Sequence, residues 1–329
     1  MLVKKTMKKE NNKKIVVIYF EDDWKKKVPL NDATATRESF ENWHERGLDC
    51  GIEFFRASIG WYNEKKNVFE KSWAYRDKKW QKIEKPIKPD LIFDKIAGKK
   101  DYELFDWKMT VGKKTKIFNH PLFRALCDNK LNQYILFKEF MPSSFLINNH
   151  LELNDVLKKI KSLRVVIKPF YGSGGFGIFI GTKNDALKQK IEFPVLVQEF
   201  IKSEKGIPGF SQKKMIADLR LVFINHKLIY ALSRIAKKGS LFTNFHQGAT
   251  AILVPKNKIP KSVNKIVQKI IDKLSLFKKN NYSLDFIFKN NGGPVLIEMN
   301  TTPGLDLLGI VGNKKIKKEY FEEFISILK

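Results

Sequence analysis

The sequence lacks several features that would each place a protein in a particular class. It has 2 cysteines, Cys50 and Cys127, in 329 residues, which are too few for a disulfide framework and lack the spacing of metal ligands. No stretch of about 20 apolar residues is present to span a membrane, and the apolar run at residues 15–20 is too short for the core of a signal peptide. We therefore expect reduced thiols, no membrane association and a cytoplasmic location.

Arginine is also scarce, although the net charge is +27. Only 8 of the 62 basic residues are Arg, and the rest are Lys spread along the whole chain among many Asn and Ile. Proteins that bind bases and phosphates favour Arg because its planar fork binds in a bidentate manner. The charge fits a compositional bias of the source genome at least as well as a binding surface. We therefore do not expect a nucleic-acid partner, and an acidic substrate drawn to a basic cleft is the favoured explanation.

The composition is that of a folded protein, with 43% hydrophobic and 29% charged residues. The length is sufficient for two or three compact lobes. Residues 1–13 are rich in Lys and Asn and predict an irregular arm, and residues 14–20 predict a buried strand. Helical spacing at residues 36–46 and further apolar runs make residues 1–114 an α/β lobe.

The rest of the chain combines helices with short strands, so we assign the protein to the α/β (α+β) class. Helices are predicted at residues 121–139, 154–161, 262–276 and 317–328, with Asn154 or Asp155 capping the second. Strands are predicted at residues 165–168, 178–180, 195–198, 219–224, 228–233, 283–288 and 295–299. Tight turns are expected at residues 225–226 and 290–293.

A glycine-rich loop occupies residues 172–177, GSGGFG, and matches the dinucleotide-binding pattern G-x-G-x-x-G. That pattern requires a strand before the loop and a helix after it. Here a second strand follows, so the loop joins a hairpin and the dinucleotide-binding hypothesis fails. A glycine-rich hairpin can still cover phosphates with its backbone amides, and Lys168 would supply a positive charge. The alternative is a flexible hairpin with an incidental lysine.

Polar side chains interrupt the last two predicted strands. Glu298 and Asn300 lie on one face of their strand, and Asp285 on the neighbouring strand can lie beside them. Two carboxylates and an amide oxygen are the hard ligands that Mg²⁺ prefers. Because burying carboxylates without a cation is costly, this pattern favours a metal site over solvated charges.

Asp218 and Arg220 alternate on another strand and share one of its faces. They could form an internal ion pair, or Asp218 could accept hydrogen bonds from nucleotide hydroxyls while Arg220 binds phosphate. Arg234 ends the next strand and can project into the same cleft.

In this order, these segments resemble the ATP-grasp superfamily, and most closely its glutathione-synthetase-like branch that contains the ribosomal-protein glutamate ligases (RimK type). The resemblance spans residues 119–305. It rests on residues 129–131 (NKL), 166–169 (VIKP), 172–177 (GSGGFG), 197–201 (VQEFI), 218–220 (DLR), 244–248 (NFHQG), 284–285 (LD) and 298–305 (EMNTTPGL).

The resemblance implies a role for each matching residue. The residues implied to bind ATP are Lys130, Lys168, Gly172, Ser173, Gly174, Gly175, Gln198, Glu199, Phe200, Ile201 and Asp218, with Asp218 on the ribose. Asp285, Glu298 and Asn300 would hold two Mg²⁺ ions, for which Mn²⁺ can substitute. Arg220, Arg234 and Asn244 would surround the transferring γ-phosphoryl group and the carboxylate that receives it.

The resemblance also implies a fold and a reaction. The N-terminal lobe (residues 1–114) would precede two ATP-grasp lobes (115–198 and 199–329) with the nucleotide between them. The enzyme would join a small-molecule or peptide carboxylate to an amine through an acyl phosphate. The alternatives are an ATP-binding regulatory protein of the same fold, and a phosphoryl-transfer enzyme without the amine step.

The sequence departs from the family pattern at two places. Residues 202–217 are longer than the corresponding stretch of the shortest relatives. Residues 246–249, HQGA, stand where the branch often has a basic residue and paired glycines. The first departure would form a substrate loop or a lid loop, and the second concerns residues that help to select the substrate in the family, so the acid and the amine are not predicted.

Overall fold

The computed structural model describes residues 12–172, 174–211, 214–244 and 247–328. Ser173, His246 and most of the arm predicted for residues 1–13 lie outside this set. None of the helices in the described ranges is long and apolar enough to cross a membrane.

The first part of the chain forms a six-stranded sheet with strand order β6-β5-β2-β1-β7-β8. Its elements are β1 (Lys13–Tyr19), α1 (Thr34–Asp49), β2 (Ile52–Ser58), β3 (Tyr62–Asn63), β4 (Val68–Phe69), β5 (Ser72–Arg76), β6 (Lys79–Ile83), β7 (Leu91–Asp94), α2 (Lys99–Glu103), α3 (Phe105–Gly112) and β8 (Lys116–Phe118). β1 pairs in parallel with β2 and β7. Its apolar residues are buried on both faces of the sheet, as expected for a central parallel strand.

The middle of the chain forms a four-stranded antiparallel sheet with order β11-β10-β12-β9. Its elements are α4 (Pro121–Cys127), α5 (Lys130–Phe137), β9 (Ser144–Ile147), α6 (His150–Lys159), β10 (Arg164–Lys168), β11 (Phe179–Thr182), α7 (Lys183–Leu187) and β12 (Val195–Glu199). β10 and β11 pair with Ile167 opposite Phe179, which confirms that the glycine-rich loop joins a hairpin rather than a strand and a helix.

The last part of the chain forms a five-stranded antiparallel sheet with order β15-β14-β13-β16-β17. Its elements are β13 (Ala217–Ile224), β14 (Lys227–Ile235), β15 (Thr250–Val254), α8 (Lys261–Leu274), β16 (Asn281–Phe288), β17 (Pro294–Asn300), α9 (Asp306–Val311) and α10 (Lys314–Leu328). All residues of β13 are buried. Val222 and Ile224 pack with α1 and α10, whereas Leu221 and Phe223 pack against α8. The sheet is therefore covered on both faces.

The helix prediction for residues 121–139 was wrong in one respect. The helix is broken after Asp128, because Asn129 leaves the helical path and caps a new helix, α5. Its side-chain oxygen accepts hydrogen bonds from the backbone of Leu131 (2.8 Å) and Asn132 (3.2 Å). An asparagine that satisfies two amides in this way favours a helix start over a helix interior. The break places Lys130 in the first turn of α5.

The predicted cap of the next helix was also wrong. α6 begins at His150, and Asn149 caps it by accepting a hydrogen bond from the backbone of Glu152 (3.0 Å). The Glu152 carboxylate in turn accepts from the backbone of Asn148 (2.8 Å). This reciprocal arrangement resembles a capping box, and it places Asn154 and Asp155 inside the helix.

Candidate active site

A cavity of ≈ 480 Å³ lies between the second and third sheets. Eleven of the residues predicted to act on ATP, metal or substrate line it. They are Lys130, Lys168, Gln198, Glu199, Phe200, Ile201, Asp218, Arg234, Asn244, Asp285 and Glu298. The fold therefore brings together residues that are up to 168 positions apart in the sequence.

The other predicted residues in the described ranges do not line the cavity, namely Gly172, Gly174, Gly175, Arg220 and Asn300. Gly172 accepts a hydrogen bond from Lys130 Nζ (2.6 Å) through its carbonyl oxygen. A Cβ at Gly175 would lie 3.0 Å from Asn244 Oδ1, so the loop approaches that side chain closely. Gly174 lies between them in the loop. Asn300 Oδ1 accepts from the backbone of Thr302 (2.8 Å).

Strand register aligns the charged residues across the third sheet. Arg220 on β13 pairs with Asp285 on β16, and Asp285 pairs with Glu298 on β17. A bulge after Asp285 leaves Ile297 without a paired residue, and its carbonyl accepts a hydrogen bond from Lys168 Nζ (3.3 Å). The bulge thus connects the second sheet to the third at the candidate metal position.

Asp285 is held by two arginines. Arg220 donates to both of its carboxylate oxygens (Nε to Oδ1 2.8 Å, Nη2 to Oδ2 2.7 Å), and Arg234 Nη2 donates to Oδ2 (2.7 Å). Burial alone would raise the pKa of this carboxyl, but the two guanidiniums outweigh burial and lower it. Asp285 is therefore ionised in the fold.

Arg234 is also held by Asp218 on the neighbouring strand. Arg234 Nε donates to Asp218 Oδ1 (2.9 Å), and Arg234 Nη2 also contacts Oδ2. Thr243 Oγ1 donates to Asp218 Oδ2 (2.6 Å). The ion pair considered between Asp218 and Arg220 does not form, because each residue has its partner on an adjacent strand.

Two lysines provide positive charge beside the candidate metal-binding strand β17. Lys130 Nζ lies 3.2 Å from Glu298 Oε1 as well as near the glycine loop. Lys168 is 8% exposed, and burial, with a further contribution from Lys130, lowers the pKa of its amine to about 8. Both side chains can bind phosphate as point charges.

The connection between the two sheets forms an apolar end of the cavity. Gln198 is buried and donates to Ser144 Oγ (2.8 Å), and the backbone of Phe200 donates to Ser162 Oγ (3.3 Å). Apolar residues also line the cavity, namely Val166, Ile178, Ile180, Ile201, Ile216, Ile287 and Ile297. A flat apolar ring with polar edges fits such a pocket.

The side-chain oxygens of Asp285, Glu298 and Asn300 fit a magnesium site when phosphate oxygens of a bound substrate are added to them. In the described ranges no group of three or more His, Cys, Asp or Glu residues could hold a metal ion. Asp285 and Glu298 supply two carboxylates on paired strands, and Asn300 follows on the same strand. Magnesium commonly binds through one or two carboxylates together with substrate phosphates, so this set is sufficient.

Sequence reasoning missed Thr243, Ser144 and Ser162. Thr243 directly precedes the motif residue Asn244, and this position next to a motif was the one sign in the sequence that Thr243 belongs to the site. The two serines have no local signal, because Ser144 meets Gln198 only through the pairing of β9 with β12.

Comparison with known proteins identifies relatives of this chain. The family model described as RimK-like ATP-grasp domain matches residues 128–322. A probable alpha-L-glutamate ligase of Vibrio parahaemolyticus is 28% identical over 176 residues, which is 52% of this chain and 53% of the relative. A protein of the same name from Vibrio vulnificus is 29% identical over 176 residues, again 52% and 53%. The chain thus spans about half the length of these curated relatives.

Solved structures show the same fold over nearly the whole chain. D-alanyl-alanine synthetase A from Vibrio cholerae superimposes with a TM-score of 0.64 at 13% identity and covers 97% of this chain and 99% of its own. The D-Ala:D-Ser ligase VanG from Enterococcus faecalis gives 0.63 at 18% identity, with 97% and 100% covered. The ATP-grasp ligase PsnB, complexed with a precursor variant, Mg and ADP, gives 0.58 at 14% identity, with 97% and 99% covered.

Proposed function

We propose that this chain, which belongs to the RimK-like ATP-grasp family, is an ATP-dependent carboxylate–amine ligase. One observation carries the proposal: two lysines, Arg234 and two candidate metal-binding carboxylates line the same cavity as a set of apolar residues, and Arg220 joins them by binding Asp285. An apolar end suits a nucleobase, and a charged end suits phosphates and an acidic substrate.

The chain's own residues then have distinct tasks in nucleotide binding. The apolar end between Gln198 and Ile201 holds the adenine. Lys130 and Lys168 bind the phosphates, and the glycine loop that Lys130 anchors covers them. Bound Mg²⁺, for which Mn²⁺ can substitute, neutralises phosphate oxygens, and we assign two such ions to Asp285, Glu298 and Asn300.

The reaction has two steps. An oxygen of the acid's carboxylate attacks the γ-phosphorus, the bond to the β–γ bridging oxygen breaks, and ADP leaves. The amine nitrogen then attacks the acyl carbon, phosphate leaves, and the nitrogen loses a proton to give the amide. Arg220, Arg234 and Asn244 stabilise the charge on the phosphoryl oxygens, because fixed donors are already in place when that charge develops. No side-chain nucleophile is needed.

The substrates belong to the class of small-molecule or peptide carboxylates and amines. Relatives that bear the name probable alpha-L-glutamate ligase make glutamate the first amino acid to test, as either the acid or the amine. Because the chain spans only half of those relatives, the panel must extend beyond glutamate.

The test is ADP release from Mg²⁺-ATP in the presence of pooled amino acids and short acidic or basic peptides. Asn300→Ala and Arg234→Ala serve as inactive controls, and Lys158→Ala, in an exposed ion pair with Asp155, serves as a neutral surface control. We expect ADP release that requires one acid and one amine and disappears in the two site variants. ATP binding without turnover on any pool would instead favour a regulatory ATP-binding protein.

A further inference from the structure

The carboxyl ends of the parallel strands in the first sheet provide a second place at which a ligand can bind. β1 is flanked by β2 on one side and by β7 on the other, so the direction in which the chain adds strands reverses between β1 and β7. In open parallel sheets, ligands bind outside the carboxyl ends of the strands at such a point. Lys95, the first residue after β7, lies there, and its backbone amide donates to the carbonyl of Ile18 on β1 (3.0 Å).

The side chain of Lys95 reaches from this point to the loop that follows β17. Its Nζ donates to the carbonyl oxygens of Thr302 (3.3 Å) and Pro303 (3.1 Å). The backbone amide of Thr302 in turn donates to Oδ1 of Asn300 (2.8 Å), a residue that we assign to Mg²⁺. Two successive hydrogen bonds through Thr302 thus connect the Lys95 amine with the proposed metal position.

The surroundings of Lys95 favour a neutral amine more than those of a surface lysine do. The side chain is half-buried, and burial, with a further contribution from Arg124 on α4, lowers the pKa of the amine to about 8. The carboxylates that act in the opposite direction are those of Asp306, Asp94 and Asp128. Arg124 pairs with Asp94 (2.7 Å) and Asp128 (3.7 Å) and so weakens their effect on Lys95.

The tetrahedral nitrogen of Lys95 has one position left for a ligand. Cε takes one of its four positions, and two N–H groups donate to Thr302 and Pro303. In the described part of the chain these carbonyls are the hydrogen-bond acceptors of Nζ, and the Phe93 ring is 5.5 Å away. A neutral amine can make the same two hydrogen bonds as an ammonium. The fourth position therefore carries a proton in the charged form and a lone pair in the neutral form.

The second step of the proposed reaction needs a base that none of the residues assigned above supplies. An aliphatic amine is an ammonium at neutral pH, and it cannot attack the acyl carbon until it has lost a proton. The arginines of the site cannot accept that proton, and its lysines and carboxylates are assigned to phosphate and to Mg²⁺. Lysines whose pKa lies near neutral pH are suited to general base catalysis.

We propose that Lys95 is the general base that activates the amine substrate, which binds between residues 94–96 and the loop at residues 301–305. The inference rests on the proposed function and adds a catalytic residue of the N-terminal lobe to it. Neutral Lys95 takes one proton from the substrate ammonium, and the freed lone pair attacks the acyl carbon. The second proton leaves the nitrogen with the departing phosphate, and the Lys95 ammonium returns its proton to water.

Two variants separate a base from a residue that only holds the loop. Lys95→Arg keeps N–H donors for the two carbonyls but is always protonated, and Lys95→Met has neither donors nor a base. Single-turnover product formation is measured with the full chain, Mg²⁺-ATP, the acid and one of two nucleophiles. These are the amine substrate and hydroxylamine, which is unprotonated at neutral pH and needs no base to free its lone pair.

Amide formation at pH 7 should fall about a hundredfold in both variants, which is the lower range of what a general base contributes. Lys95→Arg should still form the hydroxamate, because activation of the acid does not use the base. If arginine at this position prevents folding, retained hydroxamate formation in Lys95→Met decides the question. Lys99→Met, which removes an exposed partner of Glu103, should match the wild type with both nucleophiles.

The pH dependence of amide formation gives an independent readout. With saturating amine, the wild-type rate should rise as Lys95 loses its proton and level off above a pH of about 8, because the pKa of its amine is about 8. This rise should be absent from wild-type hydroxamate formation. In Lys95→Arg the remaining pH dependence of amide formation should be that of the amine substrate alone.

The contradicting results are distinct. Amide formation at the wild-type rate in Lys95→Arg overturns the inference. Equal losses of amide and hydroxamate in both variants also overturn it, since they assign Lys95 to holding the loop at residues 301–305. A wild-type chain that forms neither product overturns the proposed function together with this inference.

Discussion

Arg234 Nη2 lies 2.7 Å from Asp285 Oδ2, at the point where β14 and β16 flank β13. Arg220 binds the same carboxylate from β13. One carboxylate thus orders two guanidiniums on the side of the cavity that we assign to phosphate. Because all three groups are buried, each depends on the others for compensation of its charge.

Asp285→Asn should destabilise the fold because two buried arginines lose their shared anion. Breaking a buried ion pair costs about 3–5 kcal/mol, and we expect a loss near the lower end, since Arg234 keeps Asp218. Urea unfolding followed by circular dichroism measures the change. Asp155→Asn, which removes an exposed pair with Lys158, should change stability by less than about 0.5 kcal/mol. Equal changes in the free energy of unfolding for the two variants would contradict the shared binding of Arg220 and Arg234 by Asp285.

Lys168 should make nucleotide affinity depend on pH. Burial lowers the pKa of its amine to about 8, so the positive charge is present below that pH and is lost as pH rises above it. Affinity for ATP should therefore decrease above pH 8. Lys168→Met should bind weakly at every pH and show a flatter profile between pH 7 and 9, as measured by calorimetry. A wild-type affinity that is constant over this range would contradict the phosphate assignment.

Gly175→Ala tests the close approach of the glycine loop to Asn244. Gly175 has φ +81°, and an added Cβ would lie 3.0 Å from Asn244 Oδ1. Gly239→Ala is a matched control, because Gly239 has φ +83° with no atom within 4 Å of the added Cβ. Both variants should lose about 1 kcal/mol of stability from the positive φ, but only Gly175→Ala should also weaken ATP binding. Equal ATP affinities in the two variants would contradict a role for the glycine loop in ATP binding.

The strands and the glycine hairpin could be predicted because their signals are local. The apolar runs at residues 165–168 and 178–180 appear as β10 and β11, and residues 225–226 form the expected turn, with positive φ at Asn225 (49°) and His226 (64°). Helix boundaries were harder, since Asn129 and Asn149 could equally have stood within helices. Their capping hydrogen bonds reach only residues two or three positions later, so the local sequence did not decide between a cap and a helix interior.

The ionic partners could not be predicted because they depend on strand register. Asp218 and Arg220 are neighbours on one face of β13, where residues two apart are separated by about 7 Å. Residues directly opposite each other on paired strands are closer, with Cβ atoms about 5 Å apart. The pairs Asp218–Arg234 and Arg220–Asp285 follow from that geometry. The sequence named all four residues but not the pairs.

His44 should make folding stability decrease in acid. It is 3% exposed, its Nδ1 accepts a hydrogen bond from the backbone of Tyr75 (3.1 Å), and burial lowers its pKa to about 3. Between this pH and the unfolded value of about 6.5 the unfolded chain binds a proton that the folded chain does not. Stability therefore falls as pH falls through this window, with a contribution of about 1.4 kcal/mol per pH unit from this residue.

His44→Asn keeps an acceptor for Tyr75 and removes the titrating ring. Its stability, from urea unfolding between pH 4 and 7, should decrease less steeply with acidification than that of the wild type. Parallel profiles for the two proteins would show that His44 is not buried in its neutral form.

The most direct test of the ligase mechanism is to trap the activated acid. The full chain with Mg²⁺-ATP and the acid identified by ADP release is treated with hydroxylamine in place of the amine, and the product is analysed by mass spectrometry. An acyl phosphate predicts the hydroxamate of that acid in amounts equal to the ADP formed, and neither product with Arg234→Ala. ADP released without any hydroxamate, or in amounts independent of the acid, would contradict carboxylate activation.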